Sequence, residues 1–410
     1  MTSEPRHAFV WVWLPGTDVP VVAGRLDAAG AAVTFTYGRS YLARDDRIAL
    51  YLPELPLGRG PIAPLVGDIA GCIADATPDA WGRRVILNRR VGRDAVDTTD
   101  LDLLTYLLES GSDRIGALDF QASASEYVPR SAGCATLTEL AQSAERVEQG
   151  VPLSPALDQA LLHGSSVGGA RPKALLSDGS RRLIAKFSST TDTYPVVKGE
   201  FVAMELARRA GLSVAAVEVT RTLGKDALLI DRFDRPVAGG RRAMVSALTI
   251  LALDEVGARY ASYADLADVI RARFNDPIPT LRELFSRITF NILTGNNDDH
   301  ARNHAAFWDG TALTLTPAYD ICPQPRAGGE TAQLMAIGND GYRMSQIAGC
   351  VTRASTYLLS EPDAREIIDH QLDVIKTQWA DVCDQAALAE VDRGALWRRQ
   401  FLNPYATEGY

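Results

Sequence analysis

Long hydrophobic runs are absent from the 410-residue sequence. A membrane-spanning helix needs about 20 consecutive apolar residues, and no stretch approaches that length. The first apolar run is short and ends at Pro15 and Gly16, whereas a signal peptide needs a longer apolar region and a small-residue cleavage site. These features predict a protein that does not associate with membranes and that stays in the cytoplasm.

Cysteine is scarce and is not arranged in pairs. The five cysteines are widely spaced and form no Cys-x-x-Cys motif, the spacing that is typical of zinc and redox sites. The five histidines show no paired-ligand spacing either. We therefore expect reduced, packed thiols and no zinc.

Basic residues are outnumbered, because 42 Lys and Arg face 51 Asp and Glu, for a formal net charge of −9. Affinity for nucleic-acid phosphates rests on Lys and Arg, so the chain alone is predicted to be a poor DNA binder. A local basic patch or a basic partner could still bring it to DNA. Hydrophobic residues make up 46% of the chain, enough at this length for two or three packed units.

Short apolar or alternating runs dominate the first sixty residues and predict a β-rich unit. Its four candidate strands have the sequences FVWVWL, VPVVAGRL, AAVTFTY and DRIALYL. From about Asp79 the apolar spacing becomes helical, in DAWGRRVILNRRV and TDLDLLTYLLESG, and IGALDF is a further candidate strand. The next predicted helix begins with a capping box, Thr136 with Glu139, and ends at Gly150.

Residues 165–235 show the order strand, strand, helix, strand, strand, which is the layout of the small lobe of a two-lobed kinase. A helix-like SPALDQALLHG precedes this region, and Asp178 with Gly179 is the predicted turn of its first hairpin. Beyond Arg242 the pattern is mainly helical. The exception is AAFWDGTALTLTPAYDI, which predicts a tight hairpin followed by a loop.

The strongest chemical signal is TGNNDDHARNHAAF followed by LTPAYDICP. Phosphoryl transfer needs metal ions on the phosphate oxygens and a carboxylate near the attacking hydroxyl, and Mg²⁺ prefers carboxylate and amide oxygens. Asp298 and Asn303 have the spacing of a protein-kinase catalytic loop, and Asp320 follows the predicted hairpin. Asp298 is the predicted base or hydroxyl-orienting residue, and Asn303 and Asp320 are the predicted metal ligands.

The run Gly-Asn-Asn-Asp-Asp taken alone is typical of a polar turn at the end of a helix, because Asn and Asp side chains satisfy local backbone groups. The chemical interpretation becomes the stronger one when His300, Asn303 and the Tyr319-Asp320 dipeptide are added at this spacing.

A second signal is the glycine-rich GSSVGGARPK, which is neither a Walker A loop nor a GxGxxG motif. Glycines let the backbone approach phosphates, although such a run is more often an ordinary turn. Lys186 lies inside the apolar strand that follows, and a buried lysine is costly unless it is paired. A phosphate and Glu200 of the next helix are its predicted partners; the alternative is an edge-strand lysine that faces water.

The third signal is LLIDRFDR, whose stretch from Leu228 to Phe233 has the position of a kinase hinge. Backbone groups of such a hinge hydrogen-bond adenine. The alternative is a surface ion-pair cluster of Asp231, Asp234 and Arg235.

Taken together and in this order, SSVGGARPK, LIAKF, GEFVAMELARRAGL, DRFDR, GNNDDHARNH and LTPAYDICP resemble the HipA family, bacterial serine/threonine kinases that act as toxins of type II toxin–antitoxin systems. The resemblance covers essentially the whole chain. It implies an α+β, two-lobed protein-kinase-like fold, close to phosphoinositide kinases, with a small β-rich N-terminal subdomain and a mainly helical C-terminal lobe. The expected parts are an N-terminal subdomain (1–135), the ATP-binding core of the small lobe (136–240) and the catalytic lobe (241–410).

The resemblance also implies ATP and Mg²⁺ as cofactors. Asp298 would be catalytic, Asn303 and Asp320 would hold Mg²⁺, and Glu200 would support Lys186. The residues expected to contact the nucleotide are Val167, Gly168, Gly169, Ala170, Arg171, Lys173, Lys186, Asp231, Arg232, Phe233, His300, Arg302, Asn303, Tyr319 and Asp320.

Family members switch themselves off by autophosphorylation of a serine in the glycine-rich loop, which is then ejected. Here that serine would be Ser166, with Ser165 as the alternative, and its phosphate charge would repel ATP phosphates. The loop departs from the family pattern at Pro172, which lacks an N–H donor.

The implied partners are a helix-turn-helix antitoxin similar to HipB, which would make the main DNA contacts, and a protein substrate. By resemblance the substrate is an aminoacyl-tRNA synthetase, with glutamyl-tRNA synthetase as the first choice, and its phosphorylation would inhibit translation and growth. Two other interpretations remain: a small-molecule or lipid kinase on the same fold, and a non-catalytic co-repressor scaffold bound to an antitoxin.

Overall fold

The computed structural model describes residues 5–30, 32–93, 101–130, 135–153, 157, 171–189, 192–325 and 329–410. The chain divides into two compact units. Unit 1 contains Met1–Thr190, Thr220–Val245 and Trp308–Thr311, and unit 2 contains Thr191–Val219, Ser246–Phe307 and Ala312–Tyr410. The three-part division drawn from the sequence stays a prediction.

Unit 1 begins with a five-stranded sheet in the order β4-β3-β2-β1-β5. The strands are β1 (His7–Val12), β2 (Val21–Ala29), β3 (Ala32–Tyr37), β4 (Pro61–Ile62) and β5 (Leu118–Gln121). The helices between them are α1 (Arg39–Leu42), α2 (Gly71–Ala74), α3 (Ala80–Arg93) and α4 (Leu103–Glu109). Four of the five strands predicted for this region are therefore confirmed.

The remaining prediction, a strand at DRIALYL (residues 46–52), is wrong, because this stretch is irregular. Its backbone groups bond to side chains instead of a neighbouring strand. The Leu50 N–H donates to Tyr37 Oη over 2.9 Å, and the Ile48 N–H donates to Tyr41 Oη over 3.3 Å. Leu50 is buried in this loop. Its apolar side chain therefore fits the strand-like pattern of the sequence although the backbone is not a strand.

A four-stranded sheet follows in the order β6-β7-β9-β8. Its strands are β6 (Lys173–Asp178), β7 (Arg181–Phe187), β8 (Val217–Thr222) and β9 (Lys225–Asp231), and the predicted Asp178-Gly179 hairpin is confirmed. The helix α5 (Leu137–Glu148) starts with the predicted Thr136–Glu139 capping box. The core of this region joins α3 and α5 to one face of the sheet; it contains Trp81, Val85, Leu140, Ala144, Val147, Ala174, Leu183, Ala185, Phe187, Ala227 and Leu229.

Unit 2 is mainly helical. Its helices are α6 (Val196–Arg209), α7 (Ala247–Ile250), α8 (Tyr263–Arg273), α9 (Pro277–Thr294), α10 (Ile347–Thr352), α11 (Glu361–Gln385) and α12 (Glu390–Leu396). The predicted hairpin is present as β11 (Ala305–Trp308) and β12 (Leu313–Leu315), and β10 (Met244–Ser246) lies where the chain passes from unit 1 to unit 2. Within the described ranges, no helix is both long and apolar enough to cross a membrane. The helix predicted at SPALDQALLHG lies outside the described residues.

Residues 228–235 of unit 1, which we name the hinge segment after its predicted role, carry a buried ion network. The Arg232 guanidinium contacts Asp234 at 2.8 Å and Asp113 at 3.0 Å, and Arg235 contacts the same two carboxylates at 2.9 and 2.7 Å. Asp234 also accepts a 2.8 Å bond from the Gly116 N–H. Burial opposes ionisation of Asp234, but Arg232 and Arg235 hold its pKa below the ordinary value. The network ties the hinge segment to the loop that precedes β5.

The alternative of a surface ion-pair cluster at LLIDRFDR is thus wrong about its location and membership. Asp234 and Arg235 are interior and join Arg232, whereas Asp231 forms a separate, exposed pair with Arg181 at 2.9 Å. Residues 231–235 therefore contain one buried and one exposed set of charges.

We expect Asp234→Asn to destabilise unit 1, because it leaves Arg232 and Arg235 buried with one carboxylate fewer. Breaking a buried ion pair costs about 3–5 kcal/mol. The matched control is Asp231→Asn, whose exposed pair is worth less than about 1 kcal/mol. Urea and thermal unfolding followed by circular dichroism would measure both. Equal losses for the two variants would contradict a stabilising role of the network.

Candidate functional site

The loop of residues 296–304 begins where α9 ends, at Gly295. This glycine has a φ of 71°, and a Cβ at its position would lie 2.7 Å from the Gln400 carbonyl oxygen. Both the left-handed backbone and the close approach of another backbone therefore require glycine. The Gln324 N–H donates to the Gly295 carbonyl over 3.0 Å, which fixes the point at which the chain leaves the helix.

Asp299 is the buried centre of this loop. Its side chain is 3% exposed, and its Oδ2 accepts hydrogen bonds from Tyr263 Oη at 2.5 Å and Asn291 Nδ2 at 2.8 Å, with His304 Nε2 also at 2.8 Å. Burial by itself raises the pKa of Asp299, but His304 and the Tyr263 hydroxyl bring it below the ordinary value. The carboxylate therefore joins α8, α9 and the end of the loop through one charged atom.

Sequence reasoning missed Asp299 and its three partners. The available signal was the Asp298-Asp299 dipeptide directly after an apolar helix. Two consecutive carboxylates cannot both turn to the interior at low cost, so this dipeptide is itself an indication that one carboxylate faces solvent and that the other, if buried, needs donors. Tyr263 lies 36 residues away in the chain, so no local pattern pointed to it.

The position of Asp320 is fixed by its backbone. The Asn296 side chain donates to Asn291 Oδ1 at 3.1 Å and to the Asp320 carbonyl at 3.4 Å, so the beginning of the 296–304 loop touches the segment after β12. Asp320 has a φ of 60°, in the left-handed region that only a few non-glycine residues adopt. Such conformations persist where the surroundings impose them, often at functional sites.

Asp298 faces solvent and lies within electrostatic reach of Asp320. Loss of solvent is the largest cause that raises the pKa of Asp298, and repulsion from Asp320 and Asp299 adds to it, whereas His300 opposes it. The Asn303 side-chain amide nitrogen donates to the Asp298 backbone carbonyl at 3.4 Å. The amide oxygen of Asn303 takes no part in this bond. Two carboxylates and an amide oxygen are thus brought to one region of unit 2.

This donor set fits Mg²⁺. A closed zinc site would require several His, Cys, Asp or Glu side chains around one ion. The described part of the chain has no group of three or more such side chains that could hold a metal. Mg²⁺ is usually bound by only one or two carboxylates, with waters and substrate phosphates as the other ligands. The mutual repulsion of Asp298 and Asp320 is the charge arrangement that a divalent cation would relieve.

The other predicted residues of this loop support its shape. Asn303 closes a 3₁₀ turn, Ala301–Asn303, by donating from its N–H to the His300 carbonyl at 2.8 Å. Tyr319 Oη donates to the Arg302 carbonyl at 2.7 Å, and the Arg302 guanidinium pairs with Glu255. These contacts link the loop to Tyr319, which follows β12, and to Glu255.

In unit 1, Lys173 and Lys186 are direct cross-strand partners in the β6–β7 register. Lys186 lies on β7, which has a neighbour on each side, so the alternative of an edge-strand lysine is wrong. Leu183 and Ala185 face the core of unit 1, and strand alternation places Lys186 on the opposite face. Like charges directly across a strand pair repel each other, so a bound anion would stabilise this face.

Apolar side chains surround the two lysines on that face. By register, Leu228 of β9 is opposite Lys186 and Ile230 is opposite Ile184, which is itself opposite Leu175 of β6. The face therefore combines an apolar area with two cations, which suits a ligand with an aromatic base and phosphates.

The remaining predicted positions are placed as follows. The Arg232 guanidinium belongs to the buried ion network. The backbone N–H of Arg232 donates to the Arg182 carbonyl at 2.9 Å. Phe233 is partly buried, Arg171 is half-buried two residues before β6, and Glu200 is a buried residue of α6 in unit 2. The pairing of Glu200 with Lys186 stays a prediction. The loop residues Ser165, Ser166, Val167, Gly168, Gly169 and Ala170 lie outside the described residues.

Two relatives in the curated proteins are similar to parts of the chain. The serine/threonine-protein kinase toxin HipA of Shewanella oneidensis MR-1 is 26% identical over 183 residues, which are 38% of this chain and 42% of the relative. The putative kinase Y4mE of Sinorhizobium fredii NGR234 is 28% identical over 150 residues, 34% of this chain and 33% of the relative. The aligned stretches thus span less than half of each relative.

Among solved structures, HipA of Shewanella oneidensis MR-1, in a complex of HipA, HipB and operator DNA, superposes with a TM-score of 0.69 at 19% identity. The superposition covers 94% of this chain and 97% of the other. At this identity the likeness concerns the fold, and it confirms the α+β, two-lobed kinase-like fold expected from the sequence.

Family models give matches along most of the chain. The model of the HipA N-terminal domain matches residues 11–121, and the model of the HipA-like C-terminal domain matches residues 165–379. The second match includes the glycine-rich loop, the hinge segment, the 296–304 loop and Asp320, and it alone covers more than half of the sequence. The chain belongs to the HipA family.

Proposed function

We propose that this protein is an ATP- and Mg²⁺-dependent serine/threonine-protein kinase. The observation that carries the proposal is that the 296–304 loop, anchored by the buried Asp299, holds Asp298 and Asn303 in the region where the charge of Asp320 acts on Asp298. Phosphoryl transfer depends on metal-binding oxygens and on a carboxylate beside the acceptor hydroxyl, and Asp298, Asn303 and Asp320 supply both.

Asp298 is the residue that meets the acceptor. Its solvent-facing carboxylate orients the serine hydroxyl and accepts its proton as the serine Oγ–phosphorus bond forms and the bond from the γ-phosphorus to ADP breaks. A raised pKa makes this carboxylate a better proton acceptor than an ordinary aspartate. Asp320 and Asn303 hold Mg²⁺, which neutralises charge on the phosphate oxygens.

Asp299 and its partners act through position. Oδ2 of this buried carboxylate is bound by Tyr263, Asn291 and His304, so the backbone next to Asp298 cannot rotate without breaking these contacts to a buried charge. Small misplacements of a catalytic group cost large factors in rate, and this anchor opposes such misplacements of Asp298.

The nucleotide contacts of unit 1 complete the proposal. Lys173 and Lys186 attract the phosphates, and Ile184, the partly exposed apolar residue of the same face, contacts adenine. The backbone of the hinge segment from Asp231 to Phe233 hydrogen-bonds the adenine edge.

The proposed biological setting follows the family. HipA of Shewanella oneidensis stands in a complex with HipB and operator DNA, so we propose a HipB-like helix-turn-helix antitoxin as partner of this chain. The net charge of −9 agrees with DNA contacts made mainly by the antitoxin. The proposed substrate is an aminoacyl-tRNA synthetase, with glutamyl-tRNA synthetase first, and autophosphorylation at Ser166, or at Ser165, is the proposed off-switch.

Asp298→Asn is expected to lower phosphotransfer by about 100-fold or more, the usual contribution of a positioned base, without loss of ATP binding. Incubation with ATP and Mg²⁺, followed by peptide mass spectrometry, measures phosphate at Ser165 and Ser166. The control is Asp373→Asn on the exposed surface of α11. Phosphate on the wild type and not on Asp298→Asn supports the kinase; equal phosphorylation of both would refute the role of Asp298.

Asp299→Asn is expected to lower kcat by at least about tenfold and to change the KM for ATP little, because the loop loses its charged anchor while the nucleotide contacts of unit 1 stay. Hydrogen exchange at residues 296–304 should rise in parallel. Wild-type exchange together with wild-type kcat would show that the anchor is dispensable.

Metal dependence separates Asp320 from Asp299. EDTA should abolish turnover, and Asp320→Asn should raise the Mg²⁺ concentration at half-maximal rate by about tenfold or more, since even second-shell changes cost metal affinity that much. Asp299→Asn should leave this concentration unchanged. An unchanged Mg²⁺ requirement in Asp320→Asn would remove Asp320 from the metal site.

A further inference from the structure

One face of α9 carries three polar side chains that are spaced four residues apart, Glu283, Arg287 and Asn291, which we name the polar stripe. Residues at this spacing are neighbours on the surface of a helix. Arg287 and Asn291 are buried, with exposed fractions of 2% and 3%. Buried polar groups are normally hydrogen-bonded, so the partners of the stripe indicate which parts of unit 2 it holds.

Asn291, at the C-terminal end of the stripe, holds the 296–304 loop. Its side-chain amide nitrogen donates to Asp299 Oδ2 at 2.8 Å, and its amide oxygen accepts from Asn296 Nδ2 at 3.1 Å. Both polar atoms of this side chain therefore bind the loop that carries Asp298.

Arg287 and Glu283 hold a second segment, which follows β12. Arg287 Nη2 donates to the Thr316 carbonyl at 2.8 Å and to the Ser213 carbonyl at 3.3 Å. Arg287 Nε donates to Glu283 Oε1 at 2.8 Å, and the same oxygen accepts from the Ser213 N–H at 3.2 Å. The ion pair therefore fixes the backbones of Ser213 and Thr316 to one side of α9.

A short parallel bridge extends this hold toward Asp320. Val214 and Ala318 are bridge partners. The Ala318 N–H donates to the Ser213 carbonyl at 2.7 Å, and the Ala215 N–H donates to the Ala318 carbonyl at 2.9 Å. The chain is thus held four and two residues before Asp320, whose φ of 60° is a conformation that persists only where the surroundings impose it.

We propose that Arg287 is a positioning residue for Asp320, and that α9 sets the place of the Asp320 segment relative to the 296–304 loop by holding both on one face. The inference rests on the proposed function, in which Asp320 holds Mg²⁺. Asp299 fixes the loop that carries Asp298, whereas Arg287 fixes the segment that carries the metal ligand. Loss of the Arg287 contacts should therefore act on metal affinity.

The test compares the full-length wild type with the Arg287→Met/Glu283→Gln double variant. Both charges are removed together, because a buried charge without its partner is strongly destabilising, whereas neutral replacement of a whole buried pair is often tolerated. The glutamine oxygen can still accept from the Ser213 N–H. The matched control is Thr289→Val on the same helix, since Thr289 is fully buried but its hydroxyl donates to Gln371 of α11 at 2.9 Å.

We expect the double variant to need about tenfold or more Mg²⁺ for half-maximal phosphotransfer, the size of effect that a lost outer-shell partner has on metal affinity. Its kcat at saturating Mg²⁺ should stay within about twofold of the wild type. Hydrogen exchange, measured without nucleotide or metal, should rise at residues 316–320 and stay unchanged at residues 296–304. Thr289→Val should match the wild type in the Mg²⁺ requirement and in exchange at residues 316–320, whether or not its melting temperature falls.

An active double variant with an unchanged Mg²⁺ requirement, or with unchanged exchange at residues 316–320, would overturn the positioning role and leave the kinase function standing. An equal rise of exchange in Thr289→Val would overturn it too, because the effect would then come from general loosening of α9. If the double variant does not fold, the same measurements on Arg287→Lys decide the question, since lysine keeps the charge and lacks the planar guanidinium. A wild type without any ATP turnover would refute the proposed function itself, whatever the exchange shows.

Discussion

The site depends on one buried negative charge. A carboxylate in the interior is tolerated only when donors surround it, and Asp299 meets that condition through a tyrosine hydroxyl, an asparagine amide and a histidine ring. These donors come from α8, from α9 and from the chain just before β11, so satisfying the charge also fixes three elements relative to one another. The 296–304 loop is therefore held in place as well.

The two adjacent aspartates divide two tasks between them. Asp299 is buried and holds the loop in place. Asp298 keeps contact with solvent, and its pKa is raised by partial desolvation and by its acidic neighbours. The hinge segment of unit 1 shows the same division between the buried Asp234 and the exposed Asp231. In both places a buried charge holds a segment whose neighbouring groups are the ones proposed to meet the ligand.

Local patterns predicted much of the fold, because helix caps, tight turns and the alternation of apolar and polar residues in strands depend on neighbouring residues. The capping box of α5 and the Asp178-Gly179 hairpin are examples. The strand prediction for DRIALYL failed because the backbone groups of this stretch bond to Tyr37 and Tyr41, and these contacts exist only in the tertiary structure. Catalytic candidates followed from chemistry-bearing residues at characteristic spacing. Their anchor did not, because it is assembled from residues far apart in the chain.

The separation of anchor and chemistry has a consequence for how the loop is held. The proposed chemistry requires Asp298, Asn303 and Asp320 to keep their arrangement, and the loop that carries Asp298 and Asn303 is held from the interior by Asp299. On its outer side the loop is held by the pairs Arg302–Glu255 and Asn297–Thr331. None of these contacts uses the Asp298 carboxylate, so the group that is proposed to meet the acceptor lies on a backbone that is fixed from both sides without being used to fix it.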